Sequence, residues 1–266
     1  MKQGRGRVMK QGRRGVVKHA TLLRLLVVLA CIGAIEALCR VGVIDSFTMP
    51  PPSRIAQDLW KLLASGKLNK AIAKTLTNAA IGFVLAVSVG IASAVVIHRL
   101  RLLREALDPL FATYYAIPVL AFYPLLIILF GLGEAPQIMI AFMLGVIAVI
   151  VNTLNGLDRV PRVLLKTARI GQMTPAETAL RVTLPFAAPY VLTGVKFAVA
   201  YSLIGIIGSE FIMSSGGMGF EIAFAYINFD NATMYPLIVL ILAVSISINL
   251  LVGMWEKRIL ARRGRR

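Results

Sequence analysis

The chain has 266 residues, 58% of them hydrophobic and only 15% charged, with a formal net charge of +17. A soluble domain of this length would be about a quarter charged, while apolar stretches of about 18 residues or more recur along this chain. A soluble enzyme is therefore excluded and a polytopic membrane protein implied, so the positive charge is to be read by its location and not as a nucleic-acid footprint.

The N-terminus carries a short repeat, MKQGR at Met1–Arg5 and again at Met9–Arg13, which reads as a solvated basic tail or as a start assigned one copy too early. Residues 1–20 form that tail. The first apolar run covers about Thr21–Leu38; Val28-Leu29-Ala30-Cys31 faintly suggests a cleaved lipoprotein signal, but Arg24 inside the run and the later spans favour an uncleaved helix. Cys31 and Cys39 have no metal or redox spacing and read as packing residues. Glu36 lies four residues before Arg40, the favourable order for a helical ion pair.

Ile44–Lys74 is a hydrophilic excursion. After Pro50-Pro51-Pro52, Ser53 is the expected N-cap of an amphipathic interfacial helix that presents Ile55, Leu59, Trp60, Leu62 and Leu63 and stops at Gly66. Span 2, about Thr75–His98, contains Gly82, Ala86, Gly90 and Ala94 at four-residue spacing, a ladder that lets another helix approach closely. Arg99, Arg101 and Arg104 read as a short basic loop, and Asp108-Pro109 as the N-cap and N1 of span 3. Pro118 and Pro124 fall inside that span, and each removes a backbone hydrogen bond, so a kink is expected before its end near Phe130. Span 4 opens at Glu134 and Pro136 and reaches about Leu154.

Leu164–Tyr190 is the segment that bears most on function. Gly171 can end one short helix in the left-handed conformation. Thr174-Pro175-Ala176-Glu177 then begins another, with Thr174 as N-cap, Pro175 at N1 and Glu177 closing a capping box. Pro185 and Pro189 are expected to turn the chain into span 5, about Pro189–Phe211, whose second ladder is Gly194, Ala198 and Ser202. Lys196 in that span is placed to snorkel inward; Glu210 lies at the opposite end, before the loop Ser214–Gly219. Span 6 is about Thr233–Trp255, within a permease domain of residues 21–255, followed by a basic tail at 256–266.

Lys and Arg number eight in residues 1–24, three in 99–104, five in 159–181 and six in 257–266, against six across the alternating stretches from Arg40 to Lys74. The positive-inside rule thus puts both termini and the helix–turn–helix in the cytoplasm. No G-x-x-x-x-G-K-[ST] loop occurs, so ATP hydrolysis by the chain itself is not expected; nor is there an H-x-x-x-H pair, a nucleophile elbow or a glycine-rich filter, and His19 and His98 are isolated.

From about Asp45 to Gly253 the chain resembles the inner-membrane permease subunit of bacterial ABC importers of the nitrate/sulfonate/taurine subfamily. The resemblance rests on Met49–Arg54, Ala116-Ile117-Pro118 with Pro124, Phe130–Glu134, Ala168-Arg169 with Leu184-Pro185, and Glu210-Phe211 followed by Gly216–Gly219. It implies an all-α protein of six spans, with a cytoplasmic coupling loop at about 157–188 that docks separate ATPase subunits. The residues carried over to that role are Lys166, Thr167, Ala168, Arg169, Gly171, Gln172, Thr174, Glu177, Leu184 and Pro185. The family pattern has Glu-Ala-Ala, then glycine; here Lys166 and Thr167 stand at the first two positions, and Gln172 stands at the glycine, with Gly171 one residue early. The translocation path is assigned more weakly to Tyr114, Pro118, Gly205 and Glu210. The resemblance also implies a homodimer in the bacterial inner membrane, a periplasmic binding protein delivering a small anion such as nitrate, a sulfonate or taurine, and no cofactor on this chain, ATP being used by the partner subunits. The rival is an ATP-independent, ion-coupled carrier, which would show inverted repeats and a buried essential charge.

Overall fold

The computed structural model describes residues 22–24, 26–45 and 47–263, and no strand occurs among them. The N-terminal tail with its repeat, and the last three residues of the C-terminal tail, lie outside them. The helices are α1 (Leu22–Arg40), α2 (Pro52–Ala64), α3 (Asn69–Arg99), α4 (Arg101–Tyr114), a 3-10 turn (Val119–Phe122), α5 (Tyr123–Phe130), α6 (Ala135–Leu157), α7 (Arg162–Ile170), α8 (Pro175–Thr178), a π-helical turn (Ala179–Thr183), α9 (Leu184–Met213), α10 (Met218–Ile227) and α11 (Asn231–Arg263). Five helices are long and apolar enough to cross a bilayer, and six spans result if the bent pair α4–α5 counts as one.

The bundle is built on α6, which packs most extensively against α9 on one side and α3 on the other. Lipid supplies no hydrophobic drive for helix association, so close van der Waals contact between small residues must hold the layers together. Both ladders lie in these contacts: Ala86, Ala94 and Ala198 are fully buried, as is Ala141 on α6. At Gly90 an added Cβ would sit 2.7 Å from the Cβ of Val149, so a hydrogen is what lets α3 approach α6 this closely.

Several boundaries differ from the sequence reading. α2 begins at Pro52, with Ser53 inside its first turn. The helix has no cap of its own; the Glu36 carboxylate of α1 accepts from the Ser53 N–H at 2.9 Å and from the Ser53 hydroxyl at 2.8 Å, while also pairing with Arg40 Nε at 2.7 Å. The basic loop after span 2 shrinks to a break at Leu100. Arg101 and Arg104 belong to α4, pairing with Glu105 and Asp108 at 2.8 Å each. Those pairs start α4 two turns early, so Asp108 is not its N-cap and Pro109 lies within the helix.

The expected kink in span 3 is a full break. α4 ends at Tyr114, Pro118 precedes the 3-10 turn, and Pro124 sits in the first turn of α5; the two halves diverge by 96°. No turn occurs at Pro185 or Pro189. α8 runs through the π-helical turn into α9, giving one apolar span over Pro175–Ile212, with Pro185 in the first turn of α9 and Pro189 inside it. Met218 and Gly219, expected in the loop, open the apolar helix α10. Lys196, expected to reach inward, pairs through its ammonium with Glu256 near the C-terminal end of α11.

Candidate functional site

Two constructions stand out, one at each end of the bundle. The first is the α7–α8 turn. α7 is a nine-residue amphipathic helix whose inner side carries Ala168, 2% exposed, and half-buried Leu165. Residues 163, 166, 167 and 170 recur at helical spacing, so Val163, Lys166, Thr167 and Ile170 share the opposite face. Val163 is 71% exposed and Ile170 84%. Thr167 donates its hydroxyl back to the Val163 carbonyl at 3.0 Å, leaving that face with two apolar side chains and a cation.

The helix ends in a complete Schellman motif: the Met173 N–H donates to the Ala168 carbonyl at 3.1 Å and the Gln172 N–H to the Arg169 carbonyl at 3.0 Å. The left-handed residue is Gln172, at φ 49°, and not Gly171, whose φ is −73°. The position that should carry the turn's glycine by resemblance is thus the one with positive φ, and a glutamine bears that strain. Thr174 caps α8: its hydroxyl accepts from the Glu177 N–H at 3.2 Å, and the Glu177 carboxylate accepts from the Thr174 N–H at 2.9 Å, with Pro175 at N1. Glu177 also lies 3.9 Å from Arg181. Leu184 is half-buried and Pro185 exposed.

The second construction is a polar latch at the other end. Glu210, near the end of α9, is fully buried. Its carboxylate lies 2.8 and 2.9 Å from the Thr75 hydroxyl, which donates to it, and accepts from the Gly219 N–H at 3.0 Å. The Met218 N–H in turn donates to the Thr75 oxygen at 2.8 Å. The orphan donors at the start of α10 are therefore satisfied by side chains from α9 and α3, and an anion at a helix N-terminus is electrostatically favoured. Gly217, at φ 107°, must be glycine on a second count, because a Cβ there would lie 2.2 Å from the Glu210 carboxyl carbon. Nearby, Lys74 approaches Glu134 at 3.8 Å and Gln137 donates to Ser214 at 2.9 Å.

The remaining candidates are spread out. Tyr114 donates its hydroxyl to the Met143 carbonyl at 2.9 Å, Pro118 sits at the α4–α5 break, and Gly205 lies against the α6 backbone at Ala141. A groove of about 620 Å³ between α3, α9 and α11 is lined by apolar side chains and Trp255, which offers a polar solute little. Thr75, Val163 and Ile170 were missed in the sequence. The α7 pair was visible as a seven-residue repeat of exposed apolar positions; Thr75 lies 135 residues from Glu210, and nothing local marks it.

Up to six apolar spans, the central three (α3, α6 and α9) packed through small residues, make this a polytopic helical membrane protein. Residues 86–263 match the model of the family described as "binding-protein-dependent transport system inner membrane component". The chain is 30% identical over 217 residues to the nitrate import permease protein NrtB of Leptolyngbya laminosa, covering 78% of each chain. It is 29% identical to the riboflavin transport system permease protein RibX of Chloroflexus aurantiacus, covering 80% of this chain and 79% of the relative. It is 32% identical to the bicarbonate transport system permease protein CmpB of Synechococcus elongatus, covering 63% and 62%. A solved chain of the inward-facing MetNI methionine ABC transporter shares the fold, with a TM-score of 0.56 at 18% identity over 80% of this chain and 98% of that one. The chain belongs to the binding-protein-dependent transport system inner-membrane component family and is the transmembrane permease subunit of an ABC importer.

Proposed function

We infer that two copies of this chain pair in the bacterial inner membrane around one translocation path, with both termini and the α7–α8 turn on the cytoplasmic side. Separate ATPase subunits dock on that turn and use ATP, no cofactor being held by the permease, and a periplasmic binding protein delivers the solute to the latch end. The observation that carries this reading is the outward face of α7, where Val163 and Ile170 stand exposed beside Lys166. Scattered apolar side chains on a surface need no explanation, but two on one short helix, on a turn held by a Schellman motif and a capping box, form a rigid knob suited to a partner's groove.

Closing of the ATPase dimer on ATP would shift α7, and through the continuous α8–α9 helix this motion would reach the latch end. Such a switch requires each partner to bind one permease state better than the other. The solute is proposed to be a small anion such as nitrate, a sulfonate or taurine, in line with the nitrate and bicarbonate relatives; the riboflavin relative marks how far substrates diverge within this fold. Uptake of labelled candidates in cells lacking the ATPase subunits tests the coupling. Uptake should vanish, whereas uptake surviving on a proton gradient would establish the ion-coupled carrier instead. A ligand screen on the cognate binding protein then identifies the solute.

A further inference from the structure

Beside the α7–α8 turn, a pocket of about 280 Å³ opens between the end of α3 and the turn. Val95, Leu157 and Leu165 supply apolar wall, and His98, Arg99 and Arg169 line it together with the hydroxyl-bearing Thr178 and Thr183. No carboxylate of the described residues lines it. The acids closest in sequence are already engaged: Asp158 pairs with His98 at 3.1 Å and with Arg104 at 3.2 Å, and Glu177 is held by its capping box with Thr174. The guanidinium groups of Arg99 and Arg169 have neither an ion-pair nor a hydrogen-bond partner among the described residues. Two solvent-exposed guanidinium groups without a carboxylate partner therefore line one open concavity.

We propose that this pocket binds a phosphate-type oxyanion that bridges Arg99 of α3 to Arg169 of α7 and so fixes the turn against the bundle. A guanidinium presents its N–H donors as a planar fork matched to two oxygens of one oxyanion, which an isolated ammonium does not. The Thr178 hydroxyl can add one more donor, whereas the Thr183 hydroxyl donates to the Ala179 carbonyl at 3.3 Å. Compensation of helix dipoles explains a cation at each helix end, but it predicts a loss of stability that is independent of any ligand. The oxyanion chemistry has two sources, free phosphate and the phosphodiester headgroup of an anionic lipid, since the pocket lies where a cytoplasmic leaflet would meet the bundle. The proposal concerns binding and does not depend on what docks on α7.

The test uses the full-length permease purified without ATPase subunits, so that nucleotide sites contribute nothing. Inorganic phosphate is titrated calorimetrically at constant ionic strength. In parallel, bilayer discs of phosphatidylcholine with or without phosphatidylglycerol are prepared, and retained lipid is counted by native mass spectrometry. Saturable phosphate binding, or specific retention of phosphatidylglycerol, is expected, and the responding arm identifies the source. Arg99→Gln and Arg169→Gln should each weaken the responding ligand about tenfold or more, the loss expected for one charge-assisted contact. Failure of both ligands to bind saturably, or binding by the variants equal to wild type, overturns the proposal. The wild-type titration stands alone if a variant fails to fold.

Discussion

Replacing Glu210 with alanine removes the acceptor on which the latch converges. The Gly219 N–H at 3.0 Å and the Thr75 hydroxyl at 2.8 Å would both lose their partner in a fully buried site. An orphaned buried donor costs about 1–3 kcal/mol, so the pair costs about 2–6 kcal/mol before any water enters. Glu210→Gln is milder: its amide oxygen can accept from Gly219 and its NH₂ can donate to the Thr75 oxygen, leaving only the Thr75 proton unplaced. The predicted order of destabilisation is therefore Ala well above Gln. Hydrogen exchange at the Met218 and Gly219 amides reads the latch locally, and a loss of about 2 kcal/mol there accelerates exchange roughly thirtyfold. If Glu210→Ala leaves those two amides and the melting temperature unchanged, α10 is not held by this carboxylate and the latch does not exist.

Other substitutions probe the packing and the turn. Gly205→Ala would place a Cβ 2.9 Å from the Ala141 Cα, a backbone atom that cannot move alone; a loss of about 1–3 kcal/mol is expected in thermal unfolding, and a neutral result would contradict the close contact of α9 with α6. Thr174→Ala should weaken the start of α8 by about 1 kcal/mol and lower transport-stimulated ATP hydrolysis, while unchanged stimulation would sever the cap from coupling. Gln172→Gly should firm the turn by up to about 1 kcal/mol, because the left-handed strain at φ 49° disappears while some backbone entropy is added back. A destabilised Gln172→Gly protein would show that the glutamine side chain, and not the backbone, holds the turn.

The sequence was most legible where one short stretch determines the structure. The ladders at Gly82–Ala94 and Gly194–Ser202 specify helix contacts by spacing alone, and Thr174–Glu177 specifies its cap within four residues. It misled where a distant group decides. α2 starts at Pro52 because Glu36 of another helix accepts from Ser53, and α10 forms because Glu210 and Thr75 satisfy its first donors. Proline also misplaces helix starts. Pro109 and Pro189 lie inside helices, and the π-helical turn lets α8 continue into α9. Gly171 was given the left-handed role by residue type, yet the hydrogen bonds of the Schellman motif assign it to Gln172.

The proposal that α7 docks the ATPase is tested most directly by Val163→Asp/Ile170→Asp. Both side chains are exposed, so the substitutions cost the free permease little, whereas in a docked complex they would place two carboxylates in an apolar contact. Losing two buried aliphatic side chains removes about 3 kcal/mol or more, a hundredfold or greater weakening. Co-purification of the ATPase with the tagged, membrane-inserted double variant should fail while the wild type retains it. Recovery of the ATPase in wild-type amounts would contradict the docking of α7.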